Sequence, residues 1–418
     1  MAESKGGWRR ASVTLFFALL LAAAKSSGRA LVPLHAQDTS LEAIEEIDPY
    51  TRGKPEAMAK AGYVSFGPFH WAEGQTTKDV RETLGDIPIV FIETAHFRLA
   101  STLATYKLRG DAIEKAHLEE ETARLEKKLP RVGSARDFDP WLRAHLYAQR
   151  LEELYGDFLA RFGLTDEEFA AGGPGRKGAP SMGAGPYLGQ KEKYTVLLTQ
   201  TRSAYARYVR RYLKIEDEFS YRFNFPDCYF FGANFEALKD HDRSFDVALH
   251  ASLAAATVYN FLDSFRDCQH APPVWFKLGL THWYARKVDA RWNQWNAGGP
   301  STPDEDRNWV WEPRVWGLVK NESCPSWEEM MRWKAPEEVK PRDHMIAWSR
   351  VDWLLDQKEG DLRALLFALS ERLPGTGEER EAACYEQQVA AFEKLWKSSP
   401  AQIEQAWRKW VLRTYPKN

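Results

Sequence analysis

A single histidine lies in the apolar run VALHASLAAATVY, residues 247–259, which has the periodicity of a helix. Asp246 comes one helical turn before His250, and His282 lies on the helix predicted next in the chain. Because side chains four residues apart share a helix face, Asp246, His250 and His282 could converge as one oxygen and two nitrogen ligands, a set acceptable to zinc. A histidine among alanines is more often a hydrogen-bonded core residue, so both interpretations stay open.

The same helix lacks other groups that a hydrolytic zinc site requires. In the pattern H-E-x-x-H, the two histidines hold the ion, the glutamate is the general base, and a third ligand comes from elsewhere, here the next helix. Ala251 stands at the glutamate position, Ala254 at the second histidine and Leu278 at the expected third ligand. The sequence therefore predicts a vestigial site at these positions and His250, with no catalytic residue and no cofactor. Zinc enters only under the alternative of the rebuilt site described above.

Framework residues around these positions resemble those of a known family. The chain resembles the peptidase MA-like branch of the gluzincin metallopeptidases, in which the H-E-x-x-H helix is followed by a proline-containing loop and a helix with Trp, Glu-Gly and Tyr. The residues that match are His250, Pro272, Pro273, Trp275, Gly279 and Tyr284. The resemblance extends over residues 85–105 and 195–415, including IETAHFRLAS and PAQIEQAWRKWVLRTYP. It implies a zincin scaffold and, because the base and two ligands are replaced, a degenerate member without peptidase activity.

The order of periodic segments predicts an α+β fold, with strands early and helices late. The expected architecture is a gluzincin-like scaffold with a small early β-sheet, a helical insertion and a helical C-terminal region. The predicted segments are a signal peptide over 1–36, a β-rich segment over 37–105, a helical insertion over 106–171, a Gly/Pro-rich linker over 172–190, a peptidase-like core with the vestigial metal-site helices over 191–300, and Trp-rich loops with C-terminal helices over 301–418.

The first residues have the pattern of an export signal. Lys5, Arg9 and Arg10 precede an uncharged run, residues 13–24, that is too short to span a bilayer. We expect an exported protein, in the periplasm, at the cell surface or outside the cell, with no stable membrane span in the mature chain; an uncleaved anchor is the alternative. The full sequence has a net charge of −2, and removal of a basic leader makes the remainder more acidic, which argues against nucleic acid as a partner.

Export would place four cysteines in an oxidising compartment. Cys228, Cys268, Cys324 and Cys384 allow three pairings, and no two of them have the C-x-x-C spacing of a redox or zinc motif. One or two disulfides, or four buried thiols, are both compatible with the sequence.

Seventeen tryptophans are the unusual feature of the composition. Trp292, Trp295, Trp309 and Trp311 lie in loop-like sequence with Asn, Asp and Gly. Aromatic faces beside polar groups are suited to stacking on sugars or peptides, so these four are candidate binding residues. The alternative is that they fasten long loops to the protein body.

His96 and Glu93 are a possible polar pair in the segment IETAHF. Alternation along a strand would place the two side chains on opposite faces, so His96 is interpreted as a structural residue.

The sequence thus predicts an exported non-catalytic protein, a pseudoenzyme with a binding or structural role towards an unknown protein, peptide or polysaccharide. Two alternatives stay open. One is a metal-dependent hydrolase that uses Asp246, His250 and His282, and the other is a cell-surface polysaccharide-binding protein that uses the Trp-rich loops.

Overall fold

The computed structural model describes residues 46–108, 111–135, 137–169, 183, 185–216, 218–241, 246–266, 271–291 and 310–417. Several sequence predictions lie outside the described residues: the signal peptide over 1–36, most of the linker over 172–190, Cys268, Trp292, Trp295 and Trp309. Within the described residues the protein is a mixed α+β structure, as predicted, with one five-stranded sheet and a majority of helix. No helix in this part of the chain is long and apolar enough to cross a bilayer.

The sheet has the strand order β1-β2-β3-β5-β4, in which the middle pairs β2–β3 and β3–β5 are parallel and the outer pairs are antiparallel. The strands in chain order are β1 (Val90–Glu93), β2 (Phe97–Ser101), β3 (Tyr194–Thr199), β4 (Tyr221–Asn224) and β5 (Tyr229–Asn234). Strands β4 and β5 flank the turn at Pro226.

Helices surround both faces of the sheet and form the whole C-terminal region. In chain order they are α1 (Pro55–Ala61), α2 (Thr77–Leu84), α3 (Ala112–Glu126), α4 (Pro140–Phe162), α5 (Arg202–Tyr208), α6 (Asp246–Ser264), α7 (Val274–Val288), α8 (Trp311–Lys320), α9 (Trp327–Met330), α10 (Pro341–Gln357), α11 (Leu362–Leu369), α12 (Glu378–Trp396) and α13 (Pro400–Thr414).

The predicted β-rich N-terminal segment also contains two helices, α1 and α2. Local signals explain them: Thr76 and Asp79 form a capping box at the start of α2, and Gly62 ends α1 in the left-handed conformation that glycine tolerates best. The segment is therefore mixed in secondary structure.

The predicted helical insertion is part of the central fold. Strands β2 and β3 are parallel neighbours, and a parallel pair needs a long crossover connection, which here contains α3 and α4. Helix α4 packs against β1 and β2, and every residue from Pro140 to Leu151 is buried. Removing this segment would expose one face of the sheet.

The sheet separates two hydrophobic cores. Val90, Leu99 and Val196 belong to the larger core, which continues through α4 and α6 into the C-terminal helices. Phe91 and Leu197 point to the opposite face, where α2 and α5 cover a smaller core. Helix α6 thus lies between the sheet and the next helical layer, α7 and α10.

Candidate functional site

The register between α6 and α7 decides which residues of the two helices can form a site together. Ala251 packs with Ala285, near the end of α7, whereas Tyr259 packs with Leu278, near its start, so the helices run antiparallel. His250 comes nine residues before Tyr259, which is about 13 Å along the helix axis at 1.5 Å per residue. Leu278 therefore lies level with Tyr259, and the structure does not place it beside His250.

Asp246 and His250 instead join a buried ionic cluster with the crossover helices. Both Asp246 carboxylate oxygens accept hydrogen bonds: Arg143 Nη2 donates to Oδ1 over 3.1 Å, and Arg150 Nη1 donates to Oδ2 over 2.7 Å. Arg150 also holds Glu121 through a forked pair, with Nη2 to Oε2 at 2.6 Å and Nε to Oε1 at 3.0 Å. We call Glu121, Arg143, Arg150, Asp246 and His250, which come from α3, α4 and α6, the buried ionic cluster.

A second acidic residue from α3, Glu114, caps the N-terminus of α6. Glu114 Oε1 accepts the backbone N–H of Asp246 over 2.7 Å, and the Tyr106 hydroxyl donates to both Glu114 oxygens. A carboxylate at this position satisfies backbone donors that no preceding turn can reach and complements the positive end of the helix dipole. Burial raises the pKa of Glu114.

Charge and burial in the cluster fix the protonation of its members. Although burial alone would raise it, Arg150 and Arg143 hold the pKa of Asp246 well below its usual range. Burial, reinforced by the Arg150 charge, lowers the pKa of His250 to about 3, so this imidazole is neutral at physiological pH. Its Nδ1 lies 3.4 Å from Glu121 Oε1 and has no hydrogen-bond partner among the described residues.

His282 lies in a different environment from Asp246 and His250. Its Nε2 is 2.8 Å from His344 Nδ1 on α10, and its ring meets the ring of Trp311 edge-on at 5.3 Å. Burial, with His344 and Arg286 nearby, lowers the pKa of His282 well below its usual value, and burial lowers that of His344 to about 4. Two neutral imidazoles sharing one hydrogen bond are a packing element between α7 and α10.

The residues present therefore do not fit a zinc ion of the kind that the resemblance implies. The Asp246 carboxylate is hydrogen-bonded to two arginines, and the His282 ring is hydrogen-bonded to His344. Leu278 is an apolar side chain next to Tyr259. In the described part of the chain, no group of three or more His, Cys, Asp or Glu residues could hold a metal ion. The structure thus does not bring Asp246, His250 and His282 together as a ligand set.

The buried histidine pair predicts a loss of stability in acid. Because the folded pKa of His282 and of His344 is lowered, the unfolded chain binds more protons once the pH falls below about 6.5, the usual histidine value. We expect the free energy of unfolding to be fully retained above that pH and to fall towards pH 4, by about 1.4 kcal/mol per pH unit for each proton taken up. Urea unfolding at pH 7.0, 6.0 and 5.0 measures the slope.

His344→Asn is the control for this prediction, because the amide offers hydrogen-bonding atoms and does not titrate in this range. Its unfolding free energy should depend less steeply on pH between 6.5 and 4 than that of the wild type. Equal slopes in the two proteins would assign the acid sensitivity to other groups.

The other candidate residues have structural environments. Trp311 is fully buried and lies 4.2 Å from the Arg286 guanidinium, so it serves packing and cannot offer its face to a sugar or peptide, a correction to its predicted binding role. Cys228, Cys324 and Cys384 are free thiols, the first buried and the other two half-buried, so no disulfide joins these three. Burial raises the pKa of all three thiols, that of Cys324 to about 11.

His96 is held between two acids on the crossover side of the sheet. Its Nδ1 lies 2.7 Å from Glu152 Oε2 and its Nε2 lies 3.1 Å from Asp166 Oδ2, with the ring stacked on Tyr155. Glu93 has other partners, including Arg98. The position of His96 fits the structural role that strand alternation suggests.

Level with Leu278, the structure brings together a group that the sequence did not indicate. Asp263 Oδ2 accepts from Arg222 Nη2 over 2.8 Å, and Asp263 Oδ1 accepts from Lys277 Nζ over 3.0 Å. Both cations also lie over the Tyr259 ring, the Arg222 Cζ at 3.7 Å and the Lys277 Nζ at 4.6 Å from its centre. We call Arg222, Tyr259, Asp263 and Lys277 the basic cluster.

The basic cluster has more positive than negative charge. Among the described residues, Arg222 and Lys277 share one carboxylate, that of Asp263, and the Arg222 Nε donates to the neutral amide oxygen of Asn260. Although burial alone would lower it, Asp263 raises the pKa of Lys277, which keeps the ammonium charged. The three charged side chains retain 10–14% of their exposure, so the cluster reaches the surface.

Among the strands that the structure describes, β4 is the sheet edge beside the basic cluster. Tyr221 and Phe223 pack on the smaller core, while Arg222 points to α6. Phe225 N–H donates to Cys228 C=O across the β4–β5 turn, and alternate residues of an antiparallel pair turn their backbone groups to opposite sides. The N–H and C=O groups of Arg222 and Asn224 therefore point away from β5, towards the edge.

The basic cluster could not be predicted from the sequence, because its members are far apart in the chain and none is unusual alone. Arg222 lies on a short strand, and Asp263 and Lys277 lie on successive helices. The available signal was the alternation of aromatic and polar residues in YRFN, residues 221–224. It places Arg222 and Asn224 on one face of the strand and Tyr221 and Phe223 on the other.

No protein-family model, curated protein or solved structure matches this chain. The resemblance to the gluzincin metallopeptidases therefore has only the sequence motifs as its support, and function must be argued from the geometry.

Proposed function

We propose that the protein is an exported, non-catalytic binding protein with a peptidase-like scaffold, and that it binds an extended peptide by adding it as a strand along β4. The observation that carries the proposal is the edge of β4, whose outward backbone groups lie next to the basic cluster. An exposed strand edge is a template for an incoming strand, which supplies main-chain hydrogen bonds for affinity and side-chain contacts for selectivity.

The lack of catalysis is supported by the use of the motif residues in packing. Asp246 and His250 are members of the buried ionic cluster, and Leu278 belongs to an apolar cluster with Tyr259. At the level where the resemblance implies a ligand from α7, α6 offers Tyr259, with Ala255 one turn earlier. The one α6 carboxylate described at this level, Asp263, is paired with Arg222 and Lys277, so it is not free to take the proton from an attacking water as the family mechanism requires.

Export is supported by the basic and apolar pattern of residues 1–36. The polysaccharide alternative depends on Trp292, Trp295 and Trp309, which lie outside the described residues, and Trp311 is buried. Because the structure describes only Trp311 of these four residues, the polysaccharide alternative stays a prediction.

The substitution Asn224→Pro tests the binding site. Proline removes the outward N–H of residue 224 and is tolerated on an edge strand, while the β4–β5 hydrogen bonds of the neighbouring residues are kept. The probe is a fluorescein-labelled decapeptide of alternating Thr and Val, measured by fluorescence anisotropy. We expect wild-type protein to bind it and Asn224→Pro to bind it at least about tenfold more weakly, a loss of about 1.4 kcal/mol.

Asn224→Ala is the matched control, because it removes the side chain and retains the backbone N–H. Its affinity should stay within about twofold of the wild-type value, which is a difference below 0.5 kcal/mol. Thermal melts of both variants verify folding. Absence of binding by the wild type, or equal binding by the proline variant, would reject β4 as a peptide-binding edge.

A further inference from the structure

We infer that the basic cluster selects an acidic side chain, so that the preferred peptide has a glutamate or aspartate at the position that faces Arg222 on the α6 side of β4. This inference rests on the proposed function, since it concerns the residue preference of the same edge.

The basic cluster carries an excess of positive charge. One carboxylate, Asp263, serves two cations, and the Arg222 Nε is bonded to an amide that bears no charge. Both cations lie over the face of Tyr259, where the ring quadrupole stabilises positive charge. A second carboxylate would complete the neutralisation of a site that is already largely shielded from water.

Strand addition along β4 would bring a peptide side chain close to Arg222. Side chains alternate between the two faces of a sheet, so every second residue of an added strand lies on the α6 side. The residue directly opposite Arg222 would have its Cβ about 5 Å from the Arg222 Cβ, within reach of an ion pair. The guanidinium fork is able to bind two carboxylates from different directions, because it has five N–H donors.

The basic cluster is partly shielded from water, so an ion pair formed there would contribute more binding energy than an ion pair on the open surface. Exposed ion pairs contribute little because water and salt screen them. Arg222 retains 13% of its side-chain exposure and Lys277 retains 14%, so the added carboxylate would meet them in a partly desolvated site. Charge-assisted hydrogen bonds are strong in such surroundings.

The experiment compares two fluorescein-labelled decapeptides of alternating Thr and Val that differ only in a central Glu or Gln. We expect the full-length protein to bind the Glu peptide about two- to fivefold more tightly, as opposite-charge pairing across strands would give. Arg222→Gln should reduce the ratio of the two affinities to about one. Arg210→Gln, which removes an exposed cation after α5, should leave the ratio unchanged.

The possible outcomes separate this inference from the proposed function. If neither peptide binds, the strand-addition proposal itself fails. If both bind equally to the wild type, β4 is a binding edge without acid selection, and only the inference is overturned. A Glu preference that persists in Arg222→Gln would place the selecting cation elsewhere and also overturn it. Should Arg222→Gln not fold, the wild-type ratio must still fall as salt rises from about 0.05 M to about 0.5 M, and a constant ratio overturns the inference.

Discussion

Replacing Arg150 by leucine is expected to lower the free energy of unfolding by about 3–5 kcal/mol, the usual cost of removing one partner from a buried ion pair. Arg150 is buried and holds both Glu121 and Asp246, so the substitution leaves two carboxylates without their main cation. Both would have to be protonated or hydrated within the protein. Chemical denaturation at pH 7, with the unfolding free energy extrapolated to zero denaturant, measures the loss.

Arg124→Leu is the matched control for Arg150→Leu. Arg124 on α3 makes a forked ion pair with Glu153 on α4. This pair joins the same two crossover helices as the buried ionic cluster, but it lies at the protein surface. The substitution Arg124→Leu should lower the free energy of unfolding by less than about 1 kcal/mol. Equal, small losses for the two variants would show that the buried ionic cluster does not hold α6 against the crossover helices.

Replacing Gly279 by alanine is expected to destabilise the protein by about 1–3 kcal/mol, as overpacking a dense core does. A Cβ at this position would lie 2.5 Å from the Ala347 carbonyl oxygen and 2.5 Å from the Val351 Cγ2. The carbonyl belongs to α10, whose backbone cannot move aside without separating the two helices. Differential scanning calorimetry should show a lower melting temperature for this variant than for the wild type.

Gly317→Ala is the corresponding control on α8. A Cβ there meets nothing within 4 Å, so alanine should be neutral or stabilising by up to about 1 kcal/mol, the helix-propensity difference between the two residues. If Gly279→Ala were as stable as Gly317→Ala, the close approach of α7 and α10 would not explain the glycine. The position would then have to be explained by function.

Local sequence signals predicted most of the secondary structure. Helical periodicity predicted α6, and the order of the periodic segments predicted early strands followed by late helices. The role of the crossover could not be predicted in the same way, because strand adjacency is a long-range property. The parallel pairing of β2 with β3, together with the burial of α4, shows that α4 belongs to the core.

The candidate site was less predictable than the fold. His250 and Leu278 fit a motif by spacing, but the register of α6 against α7 is set by small residues such as Ala251 and Ala285, whose pairing the motif does not encode. That register places Tyr259, rather than His250, level with Leu278. The arginines that bind Asp246 come from a helix about a hundred residues earlier in the chain, beyond the reach of a motif.

Zinc binding tests most directly whether α6 is a packing helix rather than a metal helix. The measurement is native mass spectrometry of the full-length protein after equilibration with zinc and removal of the excess, beside His250→Ala. We expect the two proteins to retain the same amount of zinc, because His250 faces Glu121 and Arg150 rather than a ligand set. One zinc per chain in the wild type, lost in His250→Ala, would contradict it and make α6 part of a metal site.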